Sequence, residues 1–314
     1  MRVLIVTPAR AGSTLGNRAT ALRWQRHLRA LGHRVSIATT YREGPWDVVF
    51  ALHAKKSASA VFAARARGTP CVLAMTGTDL YRDVARSARA RRALVEADRI
   101  VVLHERGADD LPSAVRSKVR VVEQSAVVAP RTRRGFDVVV VGHLRAVKDP
   151  FRAAMAARRL PESSAIRVVH VGGALTDAMQ RRAEREMRVN RRYVWLGERA
   201  PAAARAWIAR ARVLVLSSQM EGGANVLSEA LVAGTPILAS RIPSSVGVLG
   251  HDYPGFFPVG ATDALVRLLL RVESEPGFLS ALRRAGRARR ARFAPQCEQA
   301  TLRALLRELD FAKP

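Results

Sequence analysis

Ser217-Ser218-Gln219-Met220-Glu221-Gly222-Gly223-Ala224-Asn225-Val226-Leu227-Ser228-Glu229-Ala230-Leu231, followed by Ala233-Gly234-Thr235-Pro236, decides how the chain is read. The apolar run Val213 to Leu216 just ahead predicts a buried strand. Small polar residues and two glycines end that run. Ala224 to Val232 then has helical spacing and stops at Gly234, before Pro236. The pattern is strand, tight loop, helix N-terminus. Free backbone N–H groups and the positive end of a helix dipole suit such a loop to an anion such as a diphosphate, and the glycines let the backbone approach a ligand. Glu221 falls in the loop and Glu229 about two turns into the helix, at the ends of a Glu-x7-Glu spacing. The first can face a sugar hydroxyl; the second can accept a bidentate pair from a ribose diol.

Working outward, strand and helix alternate twice over. Strands are predicted at Arg2 to Thr7, Val35 to Thr39, Asp47 to Leu52, Pro70 to Met75, Arg99 to Leu103 and Val119 to Val122. Helical patterns lie between several of them, at Asn17 to Leu31 with an apolar stripe of Ala21, Leu22, Leu28 and Leu31, at Lys55 to Ala66 and at Arg86 to Ala97. Ala129 to Gly135, with a proline, a glycine and clustered charge, reads as an interdomain linker. A second series follows, with strands at Phe136 to Val141, Ile166 to Val171, Tyr193 to Leu196, Val213 to Leu216 and Pro236 to Ala239. Its helical patterns include Pro150 to Arg159, Asp177 to Arg188, Ala202 to Ala211, Ala261 to Arg271 and Gly277 to Arg292, and Glu298 to Leu309 closes the chain. Alternation of this kind predicts an α/β protein of two Rossmann-like domains, residues 1–130 and 136–295, with parallel sheets facing a central cleft and ligands at the C-terminal strand ends.

Composition narrows the class. At 314 residues and 48% hydrophobic content the chain has material for two cores. No run of about 18 apolar residues occurs, and Met1 to Pro8 lacks the features of a secretory leader, so a cytoplasmic location is expected. Cys71 and Cys297 are too few for a disulfide framework or a zinc site. A net charge of +27 raises nucleic acid as a partner. Its cations, however, are spread over the whole chain, aromatics are only 5%, and lysine occurs only at Lys55, Lys56, Lys118, Lys148 and Lys313. Arginine in place of lysine beside abundant alanine points to a GC-rich genome rather than to a nucleic-acid surface.

Other loops add candidate ligand groups. Gly142-His143-Leu144-Arg145-Ala146-Val147-Lys148-Asp149-Pro150 follows the first strand of the second series, on the same edge as the Glu221 loop. In the first series Gly12, Ser13, Gly16, Asn17 and Arg18 join the first strand to the first helix. This Gly-x3-Gly spacing is neither a dinucleotide fingerprint nor a P-loop, which argues against a nicotinamide enzyme or an ATPase. A glycine-bearing loop at a helix start still suits an anion, and Arg18 adds charge. Thr76, Gly77 and Thr78, His53 with Lys55, His104, and Gln124 with Ser125 all sit just after predicted strands, where they fit either an acceptor pocket or plain turn and capping roles.

Glu221 to Leu231 resembles the donor-site signature of retaining, GT-B-type nucleotide-sugar glycosyltransferases of family 4. The resemblance extends to Gly142, Arg145 and Lys148, in the family segment whose cations grip the donor diphosphate. It implies a GT-B architecture in which the last helix, residues 296–314, returns to the N-terminal domain. It also implies a donor site of Gly142, Arg145, Lys148, Gly222, Gly223, Ala224, Asn225, Val226, Leu227 and Glu229, with Arg145, Lys148 and Glu221 closest to the chemistry. The acceptor set is Gly12, Ser13, Gly16, Asn17, Arg18, His53, Thr76, Gly77, Thr78, Gln124 and Ser125. No Asp-x-Asp pair occurs, so no metal and no cofactor beyond the co-substrate UDP-sugar is expected.

A narrower resemblance rests on Gly16 to Trp24, Leu31 to Val35, Ala51 to Ala54, Thr76 to Tyr81, Gln124 to Ala126 and Gly142 to Pro150. These segments are similar to the selenosugar synthases of selenoneine biosynthesis, the SenB type. That resemblance implies transfer of N-acetylglucosamine or glucose from its UDP derivative to selenophosphate, giving a 1-seleno-sugar. A related family 4 enzyme with a hydroxyl acceptor is the alternative.

Overall fold

The computed structural model describes residues 1–127 and 136–310, the last without its side chain. The linker expected at Ala129 to Gly135 and the chain beyond 310 lie outside the described residues. Two compact units form. The first holds Met1–Ser125, Glu221–Asn225 and the chain from Ala294; the second holds the other described residues, through Met220 and then Val226–Phe293.

In the first unit, six strands make one parallel sheet: β1 (Arg2–Val6), β2 (Arg34–Ala38), β3 (Val48–Leu52), β4 (Cys71–Ala74), β5 (Arg99–Val102) and β6 (Val119–Val121), in the order β2-β1-β3-β4-β5-β6. Side chains alternate across it. Leu4, Val6, Val49, Ala51, Leu73 and Val102 pack on one face against α2 (Ala58–Ala66) and the pair α3 (Val84–Arg86) and α4 (Ala88–Glu96). Val3, Ile5, Phe50, Leu52, Val72 and Val101 pack on the other against α1 (Gly16–Ala30) and a helix from the end of the described chain, Pro295–Asp310. Near-continuous apolar strands are what a sheet covered on both faces requires.

The α1 stripe differs from the one expected. Ala21, Trp24 and Leu28, at i, i+3 and i+7, turn inward and Trp24 is fully buried, whereas Leu22 lies about 100° off that line and is 41% exposed. Trp24 meets Phe50 edge to face at 5.7 Å. Where a turn was expected after Thr76, the chain makes a π-helical turn over Asp79–Asp83.

The second unit repeats the plan. Its parallel sheet contains β7 (Asp137–Val141), β8 (Arg167–Val171), β9 (Tyr193–Trp195), β10 (Val213–Leu216), β11 (Ile237–Ser240) and β12 (Phe256–Phe257), ordered β12-β11-β10-β7-β8-β9. Its helices are α5 (Arg152–Ala157), α6 (Asp177–Val189), α7 (Pro201–Arg210), α8 (Asn225–Ala233, whose first residue groups with the first unit), α9 (Pro243–Leu249), α10 (Thr262–Ser274) and α11 (Pro276–Arg289); α12 is the Pro295–Asp310 helix of the first unit. The two-residue β12 and the seven-residue α9 were not foreseen from the sequence pattern.

Candidate active site

In the second unit the site grows from the ends of three neighbouring strands. After β7 the backbone is held to β8, where Gly142 N donates to Val171 O at 2.9 Å and Gly142 O meets His170 Nε2 at 2.9 Å. Burial holds the His170 imidazole at about 4, so it is neutral at pH 7 despite the carbonyl beside it. Ala146–Lys148 forms a 3-10 turn, and Asp149, left-handed at φ 44°, reverses the chain into α5. Two bonds from the end of β10 fix this turn: Gln219 N donates to Val147 O and Ser217 Oγ to Asp149 O, each at 2.9 Å.

Gly142, His143, Lys148, His170, Ser217 and Ser218 therefore line one small pocket at the C-terminal ends of β7, β8 and β10. That is where parallel sheets place ligands. Of the two expected cations, Lys148 lines this pocket and is half-buried, whereas Arg145 is exposed and does not line it. Val226 and Leu227 are buried in the first turn of α8 and Glu229 is half-buried. Because α8 begins only at Asn225, Glu229 stands about one turn into the helix, not two.

The rest of the expected donor loop, Glu221–Asn225, belongs to the first unit. There its glycines meet protein. A Cβ on Gly222 would lie 2.3 Å from Thr76 O, one on Gly223 would lie 2.4 Å from Gln124 Oε1, and one on Gly77 would lie 2.9 Å from Gly222 N. Close packing of the loop on the Thr76-Gly77 turn and on Gln124 is what excludes a side chain at these places. Ala224 adopts a left-handed φ of 44° ahead of the helix. Asn225 Oδ1 accepts from Arg23 Nη1 at 3.0 Å.

Around that loop the first unit assembles several of the expected acceptor residues. Asp79, fully buried, accepts from Ala54 N through Oδ2 and from Thr76 N through Oδ1, both at 2.9 Å, and so ties the turns after β3 and β4 together. His53 is buried with a left-handed φ of 84°, its Nε2 3.3 Å from Thr78 Oγ1. Burial lowers its pKa, and Lys56 adds to this, while Asp79 and Asp83 oppose. Such backbone geometry in a residue with a side chain is stored strain of the kind found at functional sites. Tyr81 OH meets His104 Nε2 at 2.8 Å, and burial together with nearby Asp110 and Glu221 pushes the phenol pKa up. His104 is held at about 4 by burial.

Gln124 Nε2 donates to Thr20 Oγ1 at 2.7 Å, and Thr20 Oγ1 in turn donates to Gly16 O at 3.0 Å. Ser125 is buried and donates through its N–H, at 2.8 Å, and its hydroxyl to Glu298. Gly12, left-handed at φ 79°, and Ser13 lie in the turn ahead of α1, where Ser13 Oγ accepts from Leu15 N at 3.2 Å, and Asn17 is the second residue of that helix. Arg18 is half-buried, with its Nε shielded from solvent.

Two residues not singled out from the sequence organise this side. Glu298, in the first turn of α12, has a fully buried carboxylate that accepts from Trp24 Nε1 at 2.8 Å and from Arg23 Nε at 3.1 Å, besides Ser125. Burial raises its pKa, but Arg23 and hydrogen bonds from His27 and Ser125 outweigh that and hold it at about 2. The available signal was positional. Glu298, Leu302, Leu305 and Leu309 share a buried stripe at helical spacing, which places a carboxylate where an apolar residue is expected. Among the described residues no group of three or more His, Cys, Asp or Glu side chains is arranged to hold a metal ion, and no helix is long and apolar enough to cross a membrane.

Two six-stranded parallel α/β units with loops gathered at strand C-termini define a GT-B glycosyltransferase fold. The chain belongs to the family described as glycosyl transferases group 1, whose model matches residues 127–289, just over half of it. It is similar to the glycosyltransferase 1 domain-containing protein 1 of Xenopus tropicalis, 23% identical over 312 residues and covering 88% of each chain. Among solved structures it is similar to Anabaena Alr3699/HepE, in complex with UDP and glucose, with a TM-score of 0.79, 15% identity and coverage of 98% of this chain and 100% of that one. Sucrose-phosphate synthase from Thermosynechococcus elongatus gives a TM-score of 0.78 at 16% identity, with 99% of each chain covered.

Proposed function

We propose that this glycosyltransferase moves a sugar, N-acetylglucosamine or glucose, from its UDP derivative to selenophosphate and forms a 1-seleno-sugar. The observation that carries the donor half is the pocket holding Lys148 at the ends of β7 and β10, a cation beside backbone turns where a diphosphate can seat. HepE, similar in fold, is known in complex with UDP-glucose. Loss of UDP is the demanding step, because charge builds on the phosphate as the anomeric carbon becomes oxocarbenium-like, and Lys148, with Arg145 in the same loop, supplies the counter-charge. Glu221 handles the transferred sugar and Glu229 the ribose.

The acceptor half rests on the selenosugar-synthase resemblance of the segments around Gly16, His53, Thr76, Gln124 and Gly142. Selenium attacks C1 with a lone pair, the C1–O bond breaks with its electrons going to UDP, and water then cleaves the P–Se bond to release phosphate. An anionic selenium nucleophile needs no protein base to deprotonate it. Cations and backbone donors must hold so small an anion, and the Gly12 to Arg18 loop offers both.

The test is incubation with UDP-N-acetylglucosamine or UDP-glucose and either selenophosphate or common alcohols, followed by mass analysis. A seleno-sugar with release of UDP supports the reading; transfer only to alcohols replaces selenophosphate with a hydroxyl acceptor. Transfer persisting in excess EDTA is expected, since helix N-terminus, Arg145 and Lys148 take the part of a divalent ion. Loss in EDTA with recovery on adding magnesium would refute that.

A further inference from the structure

Arg23 is a fork with two ends engaged. Its Nε is 3.1 Å from Glu298 Oε1 and its Nη1 is 3.0 Å from Asn225 Oδ1, while Nη2 is buried. Asn225 closes the Glu221–Asn225 loop and begins α8. Removing two charges from water is costly, and a buried ion pair is often matched or bettered in stability by apolar packing. Core stability alone therefore does not call for Arg23 and Glu298. What the pair supplies is direction, because a planar guanidinium held by a buried carboxylate at one edge presents its other nitrogens at a fixed place.

We infer that Arg23, locked by Glu298, is a positioning residue that sets Asn225, and through it the Glu221–Asn225 loop, for sugar transfer. This rests on the reading of that loop as the place where Glu221 meets the transferred sugar. Packing of the loop's glycine backbone against Thr76 and Gln124 limits how closely it can sit. The Arg23–Asn225 bond is directional, made from an arginine whose own orientation is set from α12.

Lysine separates the two jobs of Arg23. An ammonium can pair with Glu298, but as a point charge on a flexible stem it has no second, rigidly placed nitrogen for Asn225. Arg23→Lys, Asn225→Ala and the double variant are compared with the wild-type chain in three measurements: thermal unfolding, hydrogen exchange of the 221–225 amides, and kcat and KM with the UDP-sugar donor. Arg23→Lys is expected to stay folded, to raise exchange across 221–225, and to lower kcat about tenfold with less than a threefold change in KM. Asn225→Ala should do the same, and the double variant should be no slower than the worse single one, since both remove the same bond. Unchanged exchange in a folded Arg23→Lys variant, or full multiplication of the two kcat losses, would overturn the inference. Should the wild-type chain turn over no UDP-sugar while both variants still raise exchange, the reading of the site fails and the holding of the loop by Arg23 stands. Should Arg23→Lys unfold, Asn225→Ala, which leaves the ion pair intact, decides by the same exchange criterion.

Discussion

Gly222 and Thr76 approach so closely that a methyl group on the glycine would come within 2.3 Å of the threonine carbonyl oxygen. The neighbour is backbone and cannot swing aside. Gly222→Ala is therefore expected to cost about 1–3 kcal/mol of stability, the range for overpacking in a filled site. Gly277, in α11 with nothing within 4 Å of its Cβ direction, is the control, and Gly277→Ala should be neutral or slightly stabilising. Urea midpoints read both, and equal midpoints for the two variants would show that the loop can move away from Thr76.

Glu298 makes stability depend on acidity. Its folded pKa of about 2 lies below the ordinary 4.5, so the associated stabilisation is fully present above pH 4.5 and is lost as pH falls towards 2. The shift corresponds to roughly 3 kcal/mol. Glu298→Gln should be less stable at pH 7, because the half-buried Arg23 is left without its counter-ion, and its stability should fall less steeply between pH 5 and 2. Parallel curves for wild type and variant, measured by urea unfolding across that window, would remove Glu298 as the titrating group.

Lys148→Ala should lower kcat/KM at least about tenfold, or about 1.4 kcal/mol of transition-state stabilisation, with the fold intact. Arg145→Ala should cost less, since Arg145 is exposed and lies outside the pocket lined by Lys148. Steady-state kinetics rank the two. A larger loss at Arg145 would move the diphosphate away from the β7–β10 pocket.

Glu229→Ala and Glu221→Ala should differ in kind. The first, in the second turn of α8, is expected to weaken binding of UDP itself. The second should leave UDP affinity within about twofold and lower the transfer rate at least about tenfold. Heat protection by UDP supplies the affinity and single-turnover kinetics the rate. Equal loss of UDP affinity in both would contradict the division of roles.

The alternating architecture was legible because buried parallel strands leave apolar runs, such as Val138 to Val141 and Val213 to Leu216, between helical patterns. β12, only Phe256–Phe257, is too short to leave a period, and the π-helical turn at Asp79–Asp83 looks like any polar turn. Leu22 was placed inside because hydrophobicity alone cannot say where an apolar stripe is centred, and Trp24 centres it. Gly222 and Gly223 were legible as places needing no side chain. What fills the space, Thr76 and Gln124, comes from distant parts of the chain and depends on tertiary packing. The Arg23–Glu298 pair was hidden for the same reason, its partners separated by most of the sequence.

The ribosome meets α12 last among the described helices. Ser125 and Glu298, hydrogen-bonded in the finished unit, are 173 residues apart in the chain, which at typical elongation rates is on the order of ten to thirty seconds of synthesis. Through that interval the face of the first sheet on which Trp24 and Leu28 of α1 pack lacks Leu302, Leu305, Leu306 and Leu309, and Arg23 lacks its carboxylate. The unit begun first is thus completed last, and its nascent form waits with an open apolar face while the second unit is being made.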